Sequence, residues 1–221
     1  MKKVIDRASS RGYFNHGWLK THHTFSFANY YNPERIHFGA LRVLNDDSVD
    51  PSMGFDTHPH KNMEVISIPL KGYLKHGDSV QNTKTITPGD IQVMSTGSGI
   101  YHSEYNGSDK EQLEFLQIWV FPRVENTKPE YNNFDIRPLL KPNELALILS
   151  PNGKIPLLSN KMHGSLWEAS IRKKQSNIRC IRKVTEYISS YLKEKSQWRK
   201  NGCPNVMVSV FGIQKNSRYI Y

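Results

Sequence analysis

Two short segments of the chain each carry a pair of potential metal ligands two residues apart, His58 with His60 and His102 with Glu104. Side chains at this spacing on a strand lie on one face, so both members of a pair can reach the same ion. Three imidazoles and a carboxylate suit a divalent transition metal such as Fe(II), Mn(II), Ni(II), Cu(II) or Zn(II). We therefore predict one metal ion bound by these four side chains.

The carboxylate of Glu104 gives the predicted site its chemical character. It lowers the net charge of a metal held by three imidazoles, and it leaves coordination positions for water, dioxygen or substrate, as non-haem oxygenases need. A carboxylate that leaves the metal can also act as a base. Glu104 is therefore the candidate catalytic residue as well as a candidate ligand.

Unrelated surface histidines are the alternative interpretation, because the chain has nine histidines and short motifs often match by chance. Two matched pairs on either side of a run of predicted strands favour the metal site. Pro59 cannot donate a ladder hydrogen bond, which predicts that the first pair lies at a strand edge or a barrel mouth. The histidines without a partner at metal-binding spacing are predicted not to be ligands: His22, His23, His37 and His163.

Residues 36–122 must position these groups, and they show short β-favouring runs separated by turn residues. This pattern is typical of an antiparallel barrel or sandwich, so we predict an all-β fold. Gly97 and Gly99 allow a tight turn that brings the second ligand-bearing strand close to the first, with an ordinary turn as the alternative. The predicted strands are 39–44, 64–70, 91–94 and 113–121.

The rest of the chain differs in character. Residues 123–150 are rich in Pro, Asn and Asp and are interpreted as a connector that wraps back over the barrel. Apolar residues within 184–192 fit a helical stripe that has no convincing cap. The predicted domains are a metal-binding barrel over 1–125, a connector with the start of a second barrel over 126–160, and a basic, poorly packed tail over 161–221.

The formal net charge of +10 is confined to the tail. From Lys161 onward there are 13 Lys and Arg against 3 Asp and Glu, which leaves 17 against 17 for residues 1–160. A neutral body gives no physical reason to expect direct binding of nucleic acid. The chain has no run of eighteen apolar residues and no apolar signal-peptide core, so we expect a soluble, cytoplasmic protein without a membrane partner. Cys180 and Cys203 have no metal-type spacing.

Several segments together resemble the pirin family in the order that the family has them, over about residues 5–160. They are Gly-Trp-Leu-Lys-Thr-His-His-Thr-Phe-Ser-Phe from Gly17, Phe-Gly-Ala-Leu-Arg-Val from Phe38, the His58 and His60 motif, Leu-Lys-His-Gly-Asp-Ser from Leu74, and the segment from His102 to Asn106. The resemblance implies a bicupin, in which two β-barrels of the double-stranded β-helix or jelly-roll type are stacked. It also implies that the N-terminal barrel holds an iron-type ion through His58, His60, His102 and Glu104.

Members of this family are described as quercetin 2,3-dioxygenases, which open the flavonol ring with dioxygen, and in animals as nuclear transcription co-regulators. The neutral body of this chain suits the first role better. The resemblance therefore implies Fe(II) as the first candidate metal, with a flavonol-like substrate and dioxygen. A metal-binding regulatory protein without turnover and an inactive, damaged copy are the alternatives.

Further residues near the predicted site are candidates for supporting roles. Phe25, Phe27 and Phe38 are candidates for an apolar wall, with plain core as the alternative. His76 is a candidate to support the metal ligands, with a surface turn as its alternative.

The motifs of a second pirin barrel are absent from residue 161 onward. Codons for three stretches that begin at Met162, Lys183 and Pro204 can nevertheless be read in a shifted frame as pirin-like segments, in the family's order. We hypothesise that one frame change near residues 155–162 replaced the second barrel with out-of-frame residues. A genuine basic tail that binds an acidic partner is the alternative. Triplets in the coding DNA that are incompatible with the shifted reading would refute the hypothesis.

Overall fold

A computed structural model describes residues 8–140, 145–149, 169–174, 177–182, 211–212 and 219–220. Within these residues the regular structure is strand, apart from two short 3₁₀ turns at Ala8–Ser10 and Arg137–Leu139. The predicted all-β class is therefore confirmed. In chain order the strands are β1 (Gly12–Asn15), β2 (Leu19–His23), β3 (Leu41–Val49), β4 (Gly54–His60), β5 (Glu64–Lys71), β6 (Leu74–Asp78), β7 (Thr83–Ile86), β8 (Asp90–Ser95), β9 (Ile100–Asn106), β10 (Leu113–Val120), β11 (Glu130–Asp135), β12 (Leu145–Leu149), β13 (Ala169–Lys174), β14 (Asn177–Arg182), β15 (Phe211–Gly212) and β16 (Tyr219–Ile220).

Two antiparallel sheets form the barrel. The larger has seven strands in the order β1-β2-β3-β10-β5-β8-β11, and the smaller has four in the order β4-β9-β6-β7. The four runs predicted as strands overlap β3, β5, β8 and β10. β11 was not predicted, because its sequence Glu-Tyr-Asn-Asn-Phe-Asp lacks an apolar alternation, and pairing with β8 creates the strand.

The first part of the core lies between the two sheets. Leu19, Leu113 and Phe115 of the large sheet pack against Leu74 and Ile86 of the small one. These five side chains are at most 7% exposed. Burial of each large apolar side chain contributes roughly 1.5–3 kcal/mol before the cost of ordering the chain. This packing sets the distance between the sheets and therefore the width of the space that the polar residues described below occupy.

The opposite face of the large sheet is also buried. Ile66 and Leu116 on that face pack in one cluster with Ile136, Ala146 and Ile148. Residues that follow the barrel strands thus cover the outer side of the sheet. Because both of its faces are covered, β5 shows a nearly continuous run of buried residues instead of an alternation.

Five more of the described strands belong to the C-terminal part of the chain. β12, β13 and β14 form a three-stranded antiparallel sheet, and β15 pairs with β16. The predicted helical stripe at 184–192 lies outside the described residues. Among those residues, none forms a helix with the length and apolar character that crossing a membrane requires.

Candidate metal centre

The two ligand-bearing segments form neighbouring strands. β4 pairs antiparallel with β9, and His58 lies directly opposite His102 in this register. A bulge between Phe55 and His58 inserts one extra residue into β4, which changes the facing of the strand immediately before the first histidine. β4 is an edge strand of the four-stranded sheet, as Pro59 predicts.

Three imidazoles converge across this strand pair. The ring centroids of His58, His60 and His102 lie 4.4–4.8 Å apart. One potential ligand atom from each ring lies within 4.8 Å of the other two. His58 donates from Nδ1 to the backbone carbonyl of Asp56 at 2.7 Å, which leaves its Nε2 lone pair available. The Nε2 atoms of His60 and His102 are buried and have no hydrogen-bond partner.

Burial keeps two of these rings neutral. It lowers the pKa of His60 to about 4, with a further lowering by the nearby His58. It lowers the pKa of His102 to about 2, and the neighbouring imidazoles add to the effect. Both rings therefore carry a free lone pair at neutral pH, which is the form that binds a metal.

Glu104 lies beside His102 and His76, in a second group of potential ligands that overlaps the first. Its carboxylate is 1% exposed and accepts hydrogen bonds from Ser67 Oγ at 2.9 Å and from Gln117 Nε2 at 2.5 Å. Burial raises the pKa of Glu104, although these hydrogen bonds oppose the shift. The structure thus groups the three predicted histidine ligands, and it places the predicted fourth ligand next to one of them.

A buried row of polar side chains faces Glu104 from the large sheet. Asn45, Gln117, Ser67 and Gln92 stand opposite one another on β3, β10, β5 and β8. Each is at most 8% exposed. Trp119 donates to Gln117 Oε1 at 3.1 Å, which orients the amide so that its nitrogen points to Glu104. Sequence reasoning missed this row, although Ser67 and Gln117 are polar residues in the middle of predicted strands, which is a usable signal.

A hydrogen-bonded chain supports His102 from the opposite side. His76 is completely buried, and its Nε2 donates to Asp78 Oδ2 at 3.0 Å. The Nδ1 of His76 then accepts a hydrogen bond from the Nδ1 of His102 at 3.5 Å. The Nε2 of His102 therefore keeps a lone pair that could bind a metal. Tyr131 on β11 stacks on the His76 ring at 4.5 Å. His76 therefore lies beside the candidate ligand His102.

A cavity of about 260 Å³ adjoins the histidines and Glu104. Leu19, Phe27, Phe55 and Trp119 supply its apolar lining. Phe27 contacts the edge of Trp119, with ring centroids 5.3 Å apart. The other two phenylalanines proposed for this wall lie elsewhere, since Phe25 belongs to the outer core cluster and Phe38 packs against it.

Asp47 is the one carboxylate other than Glu104 among the described residues that line this cavity. It is 3% exposed, and its Oδ1 has no hydrogen-bond partner. Burial raises the pKa of Asp47 to about 7, and a hydrogen bond with Thr21 only partly opposes the shift. Sequence reasoning did not select this residue, because only the pairing of β3 with β2 and β10 places it in the cavity.

The other histidines that the structure describes lie outside the three-histidine group. His23 lines the cavity and bonds through Nδ1 to Asn45 Oδ1 at 2.9 Å. His22 contacts Tyr13, with ring centroids 4.8 Å apart, and His37 donates from Nδ1 to the Gly39 carbonyl. His163 lies outside the described residues.

The donor set fits a divalent cation. Two buried imidazole nitrogens without partners are costly in a folded protein unless something binds them. Neutral imidazoles beside a carboxylate satisfy the coordination preferences of Fe(II), Ni(II) and related ions. Hydrogen bonds to the far side of His58 and His102 orient these rings, as is usual for metal-binding histidines.

Known proteins are similar to this chain in sequence. The family model for pirin matches residues 4–120. Quercetin 2,3-dioxygenase of Escherichia coli K12 is 41% identical over 177 residues, which cover 80% of this chain and 75% of the relative. The chain belongs to the pirin family. A putative quercetin 2,3-dioxygenase of Mycobacterium bovis is 40% identical over 170 residues, or 76% of this chain and 70% of that protein.

A solved pirin structure extends the comparison to the fold. The crystal structure of the bacterial pirin YhhW of Escherichia coli in complex with nickel(II) matches with a TM-score of 0.68 and 40% identity. The match covers 80% of this chain and 70% of that one. The expected cupin-type barrel is thus confirmed for this pirin.

The similarity to the E. coli dioxygenase extends further than the sequence motifs indicate. An aligned span of 177 residues in a chain of 221 cannot end before residue 177. The resemblance carried by the motifs ends at about residue 160, and this boundary is too early for that relative. The boundary was placed too early because the motifs are few and short, whereas an alignment also detects similarity that is spread over many residues.

Proposed function

We propose that this pirin is a metal-dependent dioxygenase that opens the ring of a flavonol such as quercetin. The three converging imidazoles beside a partly apolar cavity carry the proposal. The name of the E. coli relative supplies the reaction class, and the nickel(II) complex of the related pirin supports a divalent metal. Fe(II) is our first candidate ion, with Mn, Ni, Cu and Zn as the others.

His58, His60 and His102 would hold the ion, with Glu104 next to them as the fourth candidate ligand. When bound, a divalent metal of this kind would polarise the flavonol oxygens and provide a place for dioxygen beside the ring. The residues of the chain supply positioning. Phe27 and Trp119 are suited to pack on a flat aromatic ring and to exclude water from it.

Glu104 would accept the proton of the flavonol hydroxyl at a carboxylate oxygen. Burial makes it a stronger base than an exposed glutamate, because its pKa is raised. The hydrogen bonds from Ser67 and Gln117 keep the carboxylate in place during this transfer. A second lone pair on each oxygen remains for the metal or the proton.

Turnover with defined metal content tests the proposal. Metal-free protein is reconstituted separately with Fe(II), Mn(II), Ni(II), Cu(II) or Zn(II), and quercetin loss is measured together with dioxygen uptake. We expect equal consumption of both with at least one ion, and a loss of at least about 100-fold in the His58→Ala variant. His37→Ala, which replaces a histidine outside the three-histidine group, is the matched control and should keep full activity.

Two results would contradict the proposal. Metal uptake without any consumption of flavonol or dioxygen favours a metal-binding regulatory protein. Turnover that persists unchanged in metal-stripped His58→Ala protein removes the proposed centre.

A further inference from the structure

We propose that Asp47 is a substrate-recognition residue, whose carboxyl group hydrogen-bonds a hydroxyl of a polyhydroxylated aromatic substrate other than the oxygens that the metal engages. The inference rests on the proposed function, and it names the class of flavonol that the cavity selects. Asp47 lies on β3, away in sequence from both ligand pairs.

The first support is an unpaired polar atom. Asp47 is 3% exposed, and its Oδ1 is buried without a hydrogen-bond partner. Thr21 bonds to the carboxyl group, so part of it is already held in place. Leaving the other oxygen unsatisfied costs stability, and such a cost is typical of groups that await a ligand.

The second support is the position of the carboxyl group in the cavity. Asp47 lines the same cavity as His58, His60 and Glu104. The described lining contains neither Lys nor Arg, so no side chain of these two types pairs with the carboxyl group inside the cavity. A ligand that occupies the cavity therefore meets a hydrogen-bonding group in addition to the metal ligands.

Asp46, the preceding residue on the same strand, provides a comparison for Asp47. Asp46 points to the opposite face of β3, where it pairs with Arg11 at 3.3 Å and both side chains are buried. Two adjacent aspartates on one strand thus have different surroundings. The ion pair of Asp46 is explained by the fold alone, whereas the unpaired oxygen of Asp47 is explained by a ligand.

The rest of the lining restricts the chemistry of that ligand. Phe27, Phe55 and Trp119 can cover the faces and edges of an aromatic ring system. Thr21 and Asn45 add neutral polar groups near Asp47 on the paired strands β2 and β3. An aromatic compound with a hydroxyl in addition to its metal-binding oxygens matches both the apolar and the polar residues of the lining. A compound without that hydroxyl leaves the Oδ1 of Asp47 without a hydrogen-bond partner.

Binding and turnover of two flavonols test the proposal. Quercetin carries several hydroxyls, whereas 3-hydroxyflavone carries only the one next to the carbonyl. Equilibrium binding to the Ni(II)-loaded protein is measured by calorimetry, and kcat and KM are measured with the active metal. The variants are Asp47→Leu, which cannot form the hydrogen bond, and Asp47→Asn, which conserves shape and one acceptor. Asp46→Asn is the matched control.

We expect wild-type protein to prefer quercetin over 3-hydroxyflavone by about ten- to a hundred-fold. Asp47→Leu should lose this preference, because quercetin binding weakens to about the level of 3-hydroxyflavone, which offers Asp47 no additional hydroxyl. Asp47→Asn should retain part of the preference. The Tm should not fall in Asp47→Asn, which keeps an acceptor for Thr21, whereas Asp46→Asn should lower the Tm and keep the preference.

Opposite results would overturn the assignment. One is an unchanged preference for quercetin in Asp47→Leu. The other is an equal weakening of the binding of both flavonols together with a lower Tm, because this result indicates a structural role. Absence of turnover of both flavonols by the wild type contradicts the proposed function alone, and the binding preference then still decides the role of Asp47. A wild type that binds neither flavonol contradicts both.

Discussion

His102 is the residue that both groups of potential ligands share. It stands opposite His58 on one side and next to His76 on the other, and its free Nε2 is set by the contact that its Nδ1 makes. Asp78 holds His76 in turn. The orientation of His102, a candidate ligand, thus depends on His76 and Asp78, which do not themselves have to bind the metal.

His76→Phe tests this dependence. The substitution keeps an aromatic ring of similar size against Tyr131 but removes both hydrogen bonds of the imidazole. We expect metal affinity to fall about 10- to 100-fold, because His102 loses the partner that sets its tautomer. Competition with a chelator of known affinity measures the change, and His37→Phe serves as the control. Unchanged affinity would show that His102 needs no such support.

The low pKa values of His60 and His102 predict how acid affects the metal-free protein. For His60 the folded pKa of about 4 lies below the ordinary value of 6.5, so the unfolded chain binds more protons. The stability that neutral His60 contributes is present above pH 6.5 and is lost as pH falls towards 4. A shift of this size corresponds to roughly 3 kcal/mol.

Urea unfolding of the metal-free protein between pH 7 and 4.5 measures this effect. Asp47 has the opposite sign, since its raised pKa makes stability fall as pH rises from about 4 to 7. The comparison must therefore be between wild type and His60→Gln, which share Asp47. We expect the wild type to lose more unfolding free energy on acidification than the variant. Parallel curves would be incompatible with a neutral, buried His60.

At the level of the strands, the spacing of residues along the sequence predicted features of a single strand. It missed the features that depend on pairing between strands. The spacing of His58 with His60 and of His102 with Glu104 predicted two same-face pairs, and Pro59 predicted the edge strand. The polar row facing Glu104 exists only because β3, β10, β5 and β8 align in one register. Strands distant in sequence set that register, so no local pattern could indicate it.

The turn before β9 places the second ligand pair and depends on Gly97. This residue has φ +47°, and a Cβ there would lie 2.0 Å from the carbonyl oxygen of Thr127. We expect Gly97→Ala to lower the Tm and weaken metal binding, because β9 must shift to relieve the contact. Gly17→Ala is the matched control, since Gly17 has φ +83° but a Cβ there would meet no atom within 4 Å beyond its chain neighbours. It should cost only about 1 kcal/mol of backbone strain. Equal losses in both variants would rule out the contact with Thr127.

For the whole molecule, the barrel does not end where the sequence suggested. A domain boundary at residue 125 would remove β11, which pairs with β8 and carries Tyr131 onto His76. It would also remove Ile136, which is 1% exposed in the outer core. The Pro- and Asn-rich composition of this region did not indicate either contribution, because neither produces a periodic pattern of apolar residues in the sequence.

Two truncated proteins test how far the folded unit extends. A 1–125 fragment exposes the edge of β8 and the outer face of the large sheet, where Ile66 and Leu116 lie, whereas a 1–140 fragment keeps β11 and Ile136. Exposed apolar area and an unpaired strand edge both favour self-association. We expect the shorter fragment to have the lower Tm, more aggregation in light scattering and weaker metal binding, since the stack on His76 is lost. Limited proteolysis of the full chain should accordingly protect a fragment that reaches beyond residue 136. A protected core that ends near residue 125 and binds metal normally would show that β11 adds nothing to the barrel or its site.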